Sequence, residues 1–166
     1  HTLESSCYLL HDEAGKPHAI FTGDTLFIGD VGRPDLSSGN MTSEELAGIM
    51  YDTIQTKILP LDDNILVYPA HGPGSSCGKN LGPNTFSTIG EEKASNYAMK
   101  EQTKEEFIQV LTEGLNKPPV YFPLNAQINQ QGYASLDEIK RIGLTRLSIS
   151  ELKKLRNENV IILDTR

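Results

Sequence analysis

The chain has 166 residues, enough for one ordinary domain, and a formal charge of −7. That acid excess argues against nucleic acid or an anionic membrane as the main partner. Hydrophobic residues make up 37%, as in a globular chain, and no apolar stretch approaches the roughly 20 residues that span a bilayer. Ser6 to Leu10 and His18 to Thr22 read as two short strands, joined by a hairpin loop that carries Gly15 and Pro17. A further short strand is expected at Thr25 to Ile28, followed by the loop "GDVGRPDLSSGN".

A helix comes next. Thr42 or Ser43 can cap it, Glu44 and Glu45 suit its first turn, and Leu46, Ile49, Met50, Ile54 and Ile58 keep a helical period until Pro60 stops it. Ile65 to Tyr68 read as a buried strand meeting a turn at Pro69, and the polar segment "GPGSSCGKNLGPNTFSTIG" as a functional or disordered loop. Glu91 to Met99 suggest a short helix. Thr103 to Leu115 suggest a clear one, with Thr103 as cap and Phe107, Val110, Leu111 and Leu115 on one face. The proline-bearing segment "NKPPVYFPLNAQINQQGYASLDEI" reads as a linker, Ser148 to Arg156 as a helix, and "NVIILD" as a buried strand. This order predicts an α/β or α+β domain, with a second domain beginning near residue 145. The start on His1-Thr2 and the stop just after Val160 to Leu163 read as a piece of something longer.

Within "IFTGDTLFIGDVGRPDL" (Ile20 to Leu36) an acid, Asp24, stands between two apolar runs. Burying an ionised carboxylate unpaired is costly, so Asp24 calls for a structural hydrogen bond, a basic residue or a metal. His1, Asp24 and His71 each lie at or near a predicted strand end, where sites form. Two neutral imidazoles and a carboxylate suit Zn²⁺, Mn²⁺ or Fe²⁺, and are the donor set of non-haem iron oxygenases. A turn-capping Asp24 and surface or capping histidines are the alternatives. His11 and His18 flank the hairpin loop and are expected to face solvent. Cys7, next to Tyr8 in a strand, is expected in the core. With only Cys7 and Cys77 there is no disulfide framework, and a reducing, cytoplasmic setting is expected. The glycines around Ser75 form no P-loop.

His1-Thr2, "FTGDTLF" (Phe21 to Phe27), "GRPD" (Gly32 to Asp35) and "YPAHGPGS" (Tyr68 to Ser75) resemble, in order and spacing, the second half of the metallo-β-lactamase superfamily. The resemblance points to the glyoxalase II and persulfide dioxygenase branch. "HGPGSSCGKNLG" with "STIGEEKASNYAM" resembles bacterial persulfide dioxygenases fused to rhodanese domains, and "LSISELKKLRNENVIILDTR" is similar to the first helix and strand of a rhodanese domain. It implies the second half of an αββα sandwich over residues 1–125, a linker over 126–144 and the start of a rhodanese-like domain over 145–166. His1 and Asp24 become ligands of one Fe²⁺ that oxidises a glutathione- or CoA-type persulfide with O₂ to sulfite. His71 would stay near that iron, or bind the second of two Zn²⁺ ions in a glyoxalase II-like thioester hydrolase.

The resemblance also bears on the loops. Arg33 is expected to pair with Asp35, or else to offer positive charge to an anionic sulfur substrate. Cys77 could be a redox or substrate-facing thiol, since nearby Lys79 favours a thiolate, or an inert loop residue. Ser75, Ser76 and Lys79 are expected to contact the thiol carrier. The family's first-half signature, HxHxDH, is absent, so the chain holds two of three iron ligands and is expected to be inactive alone. The missing half of the sandwich is expected from another segment or chain, and the protein is expected to be a homo-oligomer.

Overall fold

A computed structural model of the chain describes residues 1–36, 41–79, 83–115, 117–155 and 160–163. Parts of the expected loops (37–40 and 80–82) and of the terminal helix and strand (156–159 and 164–166) lie outside the described residues. The chain divides into two units, His1–Leu124 and Asn125–Arg166.

The first unit is built on a four-stranded mixed sheet in the order Tyr8–His11, Pro17–Gly23, Leu66–Pro69, Ser87–Thr88. Strand β1 (Tyr8–His11) and strand β2 (Pro17–Gly23) form the expected antiparallel hairpin, with Tyr8 opposite Phe21. A two-stranded ribbon follows, β3 (Leu26–Phe27) against β4 (Asp30–Val31). Helix α1 (Ser43–Thr53) continues into a π-helical turn, Ile54–Ile58, and the chain then enters β5 (Leu66–Pro69), parallel to β2. The short β6 (Ser87–Thr88) pairs with β5 and leads into α2 (Ile89–Ser95), a 3₁₀ turn (Tyr97–Met99) and α3 (Lys104–Thr112). The helix expected over Glu91 to Met99 is thus broken at Asn96. Asn96 has extended backbone, and its side chain accepts the Ala98 N–H at 3.0 Å, which starts a new turn.

Local sequence explains where these helices begin. Thr42, Thr88 and Thr103 each accept the N–H of a glutamate three residues on, while that glutamate returns a bond to the cap N–H. The apolar stripe of α1 does what its period predicts: Leu46, Met50, Ile54 and Ile58 are all buried. They pack with Ile20, Val67, Ile89, Phe107 and Leu111 into one core. Each such side chain contributes roughly 1.5–3 kcal/mol of transfer free energy. Ile49, also on the stripe, stays 43% exposed.

Much of the segment expected to be a linker is helical, beginning in the last residues of the first unit. Helix α4 (Phe122–Gln131) and helix α5 (Leu136–Gly143) occupy it, followed by α6 (Ile149–Leu155). Pro123 is compatible with α4 because it sits in the first turn, where a missing N–H costs nothing. None of these helices has a buried residue. Residues 160–163, expected as a buried strand, are exposed and without regular structure. A strand needs a neighbour to pair with, and no described strand pairs with them.

Candidate metal centre

Because β2 and β5 run parallel, both release the chain at the same edge of the sheet. Strand β2 ends on Gly23, whose φ of 54° turns the backbone sharply before Asp24. Past the end of β5, the Ala70 N–H donates to the Gly23 carbonyl at 3.0 Å, which sets His71 beside Asp24. The segment after β4 crosses so closely that a Cβ on Gly32 would lie 1.9 Å from the Asp24 carbonyl oxygen. Only glycine fits there.

The carboxylate of Asp24 is held from two sides. Its Oδ2 lies 3.0 Å from His1 Nε2, and its Oδ1 lies 3.2 Å from His71 Nε2. The His1 Nδ1–H donates to the Arg33 carbonyl at 2.8 Å. That carbonyl can only accept, so Nδ1 carries a hydrogen. Nε2 also faces an acceptor, and either a second proton or a cation must stand between it and Asp24. Burial opposes charge on His1. The hydrogen bonds to Asp24 and the Arg33 carbonyl outweigh it and hold the imidazole above its ordinary pKa. Burial likewise works to raise Asp24, but the bond and charge of His1, with the charge of His71, hold it below the usual carboxylate range.

Cys77 completes the group. Donor atoms of Asp24, His71 and Cys77 all lie within 4.8 Å of one another. Burial pushes this thiol up, and the neighbouring Asp24 carboxylate adds to the effect. The thiolate expected from Lys79 is therefore not favoured, and the reason is geometric. The Lys79 ammonium instead donates to the Val110 carbonyl at 2.7 Å and to the Glu113 carbonyl, capping the end of α3. Carboxylate, imidazole and thiol together make a donor set that fits a divalent transition metal. A metal replacing the proton between His1 and Asp24 would use the orientation that the Arg33 carbonyl already gives the ring.

Of the remaining sequence-picked residues, Arg33 forms the expected pair. Its Nε and Nη2 donate to the two Asp35 oxygens at 3.0 and 2.8 Å, and Nη1 reaches the Ser76 carbonyl at 3.5 Å. Arg33, Ser75, Ser76 and Lys79 line one cavity of about 510 Å³, with exposed Lys117 at its edge. A second cavity of about 530 Å³ runs from His1 past Cys7 and Thr25 to Ile49 and Lys57. Cys7 packs against the core and donates to the Thr22 carbonyl at 3.5 Å. His11 and His18 face solvent. Sequence reasoning passed over Asp30, a second acid directly after an apolar run. The same anomaly that singled out Asp24 was present there.

No family model matches the chain. It is 37% identical over 76 residues to hydroxyacylglutathione hydrolase GloC of Haemophilus influenzae, covering 46% of this chain and 27% of that protein. Glyoxylase B2 of Dictyostelium discoideum is 32% identical, covering 82% of this chain and 45% of that protein. The mouse mitochondrial persulfide dioxygenase ETHE1 is 33% identical, covering 71% of this chain and 39% of that protein. The chain thus spans less than half the length of these curated relatives. Among solved structures, a metallo-β-lactamase from Staphylococcus aureus subsp. aureus COL superposes with a TM-score of 0.72 at 42% identity, over 81% of this chain and 38% of that one. ETHE1 from Myxococcus xanthus follows with a TM-score of 0.52 at 32% identity, over 68% and 44% of the two chains. Sequence and backbone agree, and the chain belongs to the metallo-β-lactamase superfamily.

Proposed function

We propose that the chain supplies part of a non-haem iron persulfide dioxygenase. The reaction would take a low-molecular-weight persulfide, of glutathione or CoA type, with O₂ and water to free thiol, sulfite and protons. The observation that carries this reading is the Asp24 carboxylate held between two imidazoles, one oriented through its far nitrogen by a main-chain carbonyl. The likeness to the mouse persulfide dioxygenase ETHE1 and to ETHE1 from Myxococcus xanthus supports it. When bound, Fe²⁺ would bring persulfide sulfur and O₂ together and lower the pKa of the persulfide. His1 and Asp24 would hold it, with the remaining ligand from the part of the sandwich that completes the fold. His1 keeps its Nδ1 proton on the Arg33 carbonyl throughout, so that Nε2 alone faces the site. Cys77 would face the sulfur end of the substrate, and Ser75, Ser76 and Lys79 the carrier. The helix α6 would open a rhodanese-type domain that exchanges sulfane sulfur.

One observation favours a second reading. The two oxygens of Asp24 engage different histidines, as a carboxylate shared by two cations would. Asp24 and His71 would then help hold two zinc ions that activate water for thioester hydrolysis, a reading that the likeness to GloC and glyoxylase B2 supports. Metal analysis of the intact protein, with the rest of the sandwich present, and oxygen uptake on glutathione persulfide and thioester cleavage run side by side, separates the two. One iron per chain and oxygen uptake are expected. Two zinc ions with thioester cleavage and no oxygen uptake would overturn the dioxygenase.

A further inference from the structure

We propose that Asp30 is a positioning residue for this site: it fixes the Ser75–Lys79 loop and so holds the Cys77 thiol against Asp24 and His71. The inference rests on reading that group as the reaction centre. Asp30 is 1% exposed. Its Oδ1 accepts the adjacent Val31 N–H at 2.8 Å, and its Oδ2 accepts the Lys79 N–H, 49 residues away in sequence, at 2.7 Å. The turn that carries it is pinned from behind. The Asn96 amide donates to the Phe27 carbonyl, the Asp30 carbonyl and the Glu92 carboxylate at 3.2, 3.0 and 2.8 Å, while Glu92 also accepts the Gly29 N–H at 2.8 Å.

From that base the carboxylate reaches forward to the loop. Two residues upstream of Lys79, the Cys77 carbonyl accepts the Arg33 N–H at 2.8 Å. Cys77 is therefore itself the first of two main-chain anchors, its carbonyl on the Arg33 N–H, and the Lys79 N–H on Asp30 is the second, two residues on; neither uses its thiol. Burying a carboxylate is far costlier than burying an apolar side chain of similar size. Here its two oxygens serve main-chain N–H groups, one of which belongs to the loop bearing the thiol. An asparagine offers one uncharged acceptor oxygen and so weakens the charge-assisted Lys79 bond; an alanine removes it.

The test uses a Cys7→Ser background, in which Cys77 is the sole thiol. Its rate of alkylation by iodoacetamide is measured with and without saturating Fe²⁺ under anaerobic conditions, alongside circular dichroism and Fe²⁺ affinity. Asp30→Ala should alkylate about tenfold faster and bind Fe²⁺ about tenfold more weakly with helix content retained, as for loss of an outer-shell partner. Asp30→Asn should fall between it and the parent. An unchanged alkylation rate in Asp30→Ala, with only the melting temperature lowered, would mean a purely structural role and would overturn the proposal. Should that variant fail to fold, the same comparison is made with Asp30→Asn, where a parental rate and parental Fe²⁺ affinity would overturn it. If the parent binds no Fe²⁺, the metal reading fails instead, while the metal-free rates still decide the role of Asp30.

Discussion

Helices α3 and α5 begin alike and end differently. Each has a hydroxyl cap, Thr103 or Ser135, accepting the N–H of a glutamate three residues on, and each carries an apolar stripe. In α3 that stripe is consumed: Phe107 is 0% and Leu111 1% exposed. In α5, Leu136, Ile139 and Ile142 stay 51–64% exposed. Capping and period are local properties, and they suffice to form a helix. Burial is a tertiary property, and it needs a partner surface with matching shape. The first unit provides one through α1, whose Gly48 lets the Lys104 side chain of α3 approach closely.

The comparison predicts where substitutions will hurt. Phe107→Ala, in a fully packed core, should cost about 3–5 kcal/mol in urea or guanidinium unfolding. A cost under about 1 kcal/mol would mean that the α1–α3 contact is loose. Arg33→Ala should cost about 2–3 kcal/mol, below the range for a fully buried broken pair, because the Asp35 side chain is 17% exposed. It should also loosen the Ser76–Cys77 main chain, read as faster Cys77 alkylation.

The metal centre gives a pH test. In metal-free protein the His1–Asp24 pair stabilises the fold fully between the usual carboxylate range and the ordinary histidine value. That contribution is lost as pH rises through the raised His1 value, and as pH falls through the lowered Asp24 value. A cation must displace the His1 proton, so affinity for Fe²⁺ or Co²⁺ should fall about tenfold per pH unit below the raised His1 value. Affinity flat down to pH 5 would show that His1 is no ligand. Thr103→Ala, which removes one cap from α3, should cost about 1 kcal/mol.

Much of the first unit was legible because its signals are local. Thr42 and Thr103 announce helix starts, Pro60 a stop, and the apolar and β-branched run Ile20 to Thr22 a strand. Asp24 was legible as an anomaly, an acid between apolar runs. His1 and His71 stood out with it as one donor set, but no short window contains their contact. His71 reaches Asp24 through the parallel register of β2 and β5, and His1 through the segment before β1, held on the Arg33 carbonyl. Cys77 was visible as a thiol near Lys79, yet the lysine turns to the end of α3, a contact over 31 residues that reverses the inferred effect. The proline-bearing segment 116–139 reads as a linker, and its helices were not legible because a first-turn proline such as Pro123 cannot be told from an interior one until the helix start is known.

Ile139→Ala is the smallest expected effect and the sharpest test of the contrast between α3 and α5. Ile139 is 51% exposed on a helix with no buried residue, so truncation removes little packed area and should change stability by less than about 0.5 kcal/mol. Isoleucine to alanine also slightly improves helix propensity, which offsets part of even that loss. A cost approaching that of Phe107→Ala would require the α5 stripe to be covered in solution. Repeating the unfolding at several protein concentrations then identifies the cover. A midpoint that rises with concentration assigns it to a second copy, and one that does not assigns it to packing within the chain.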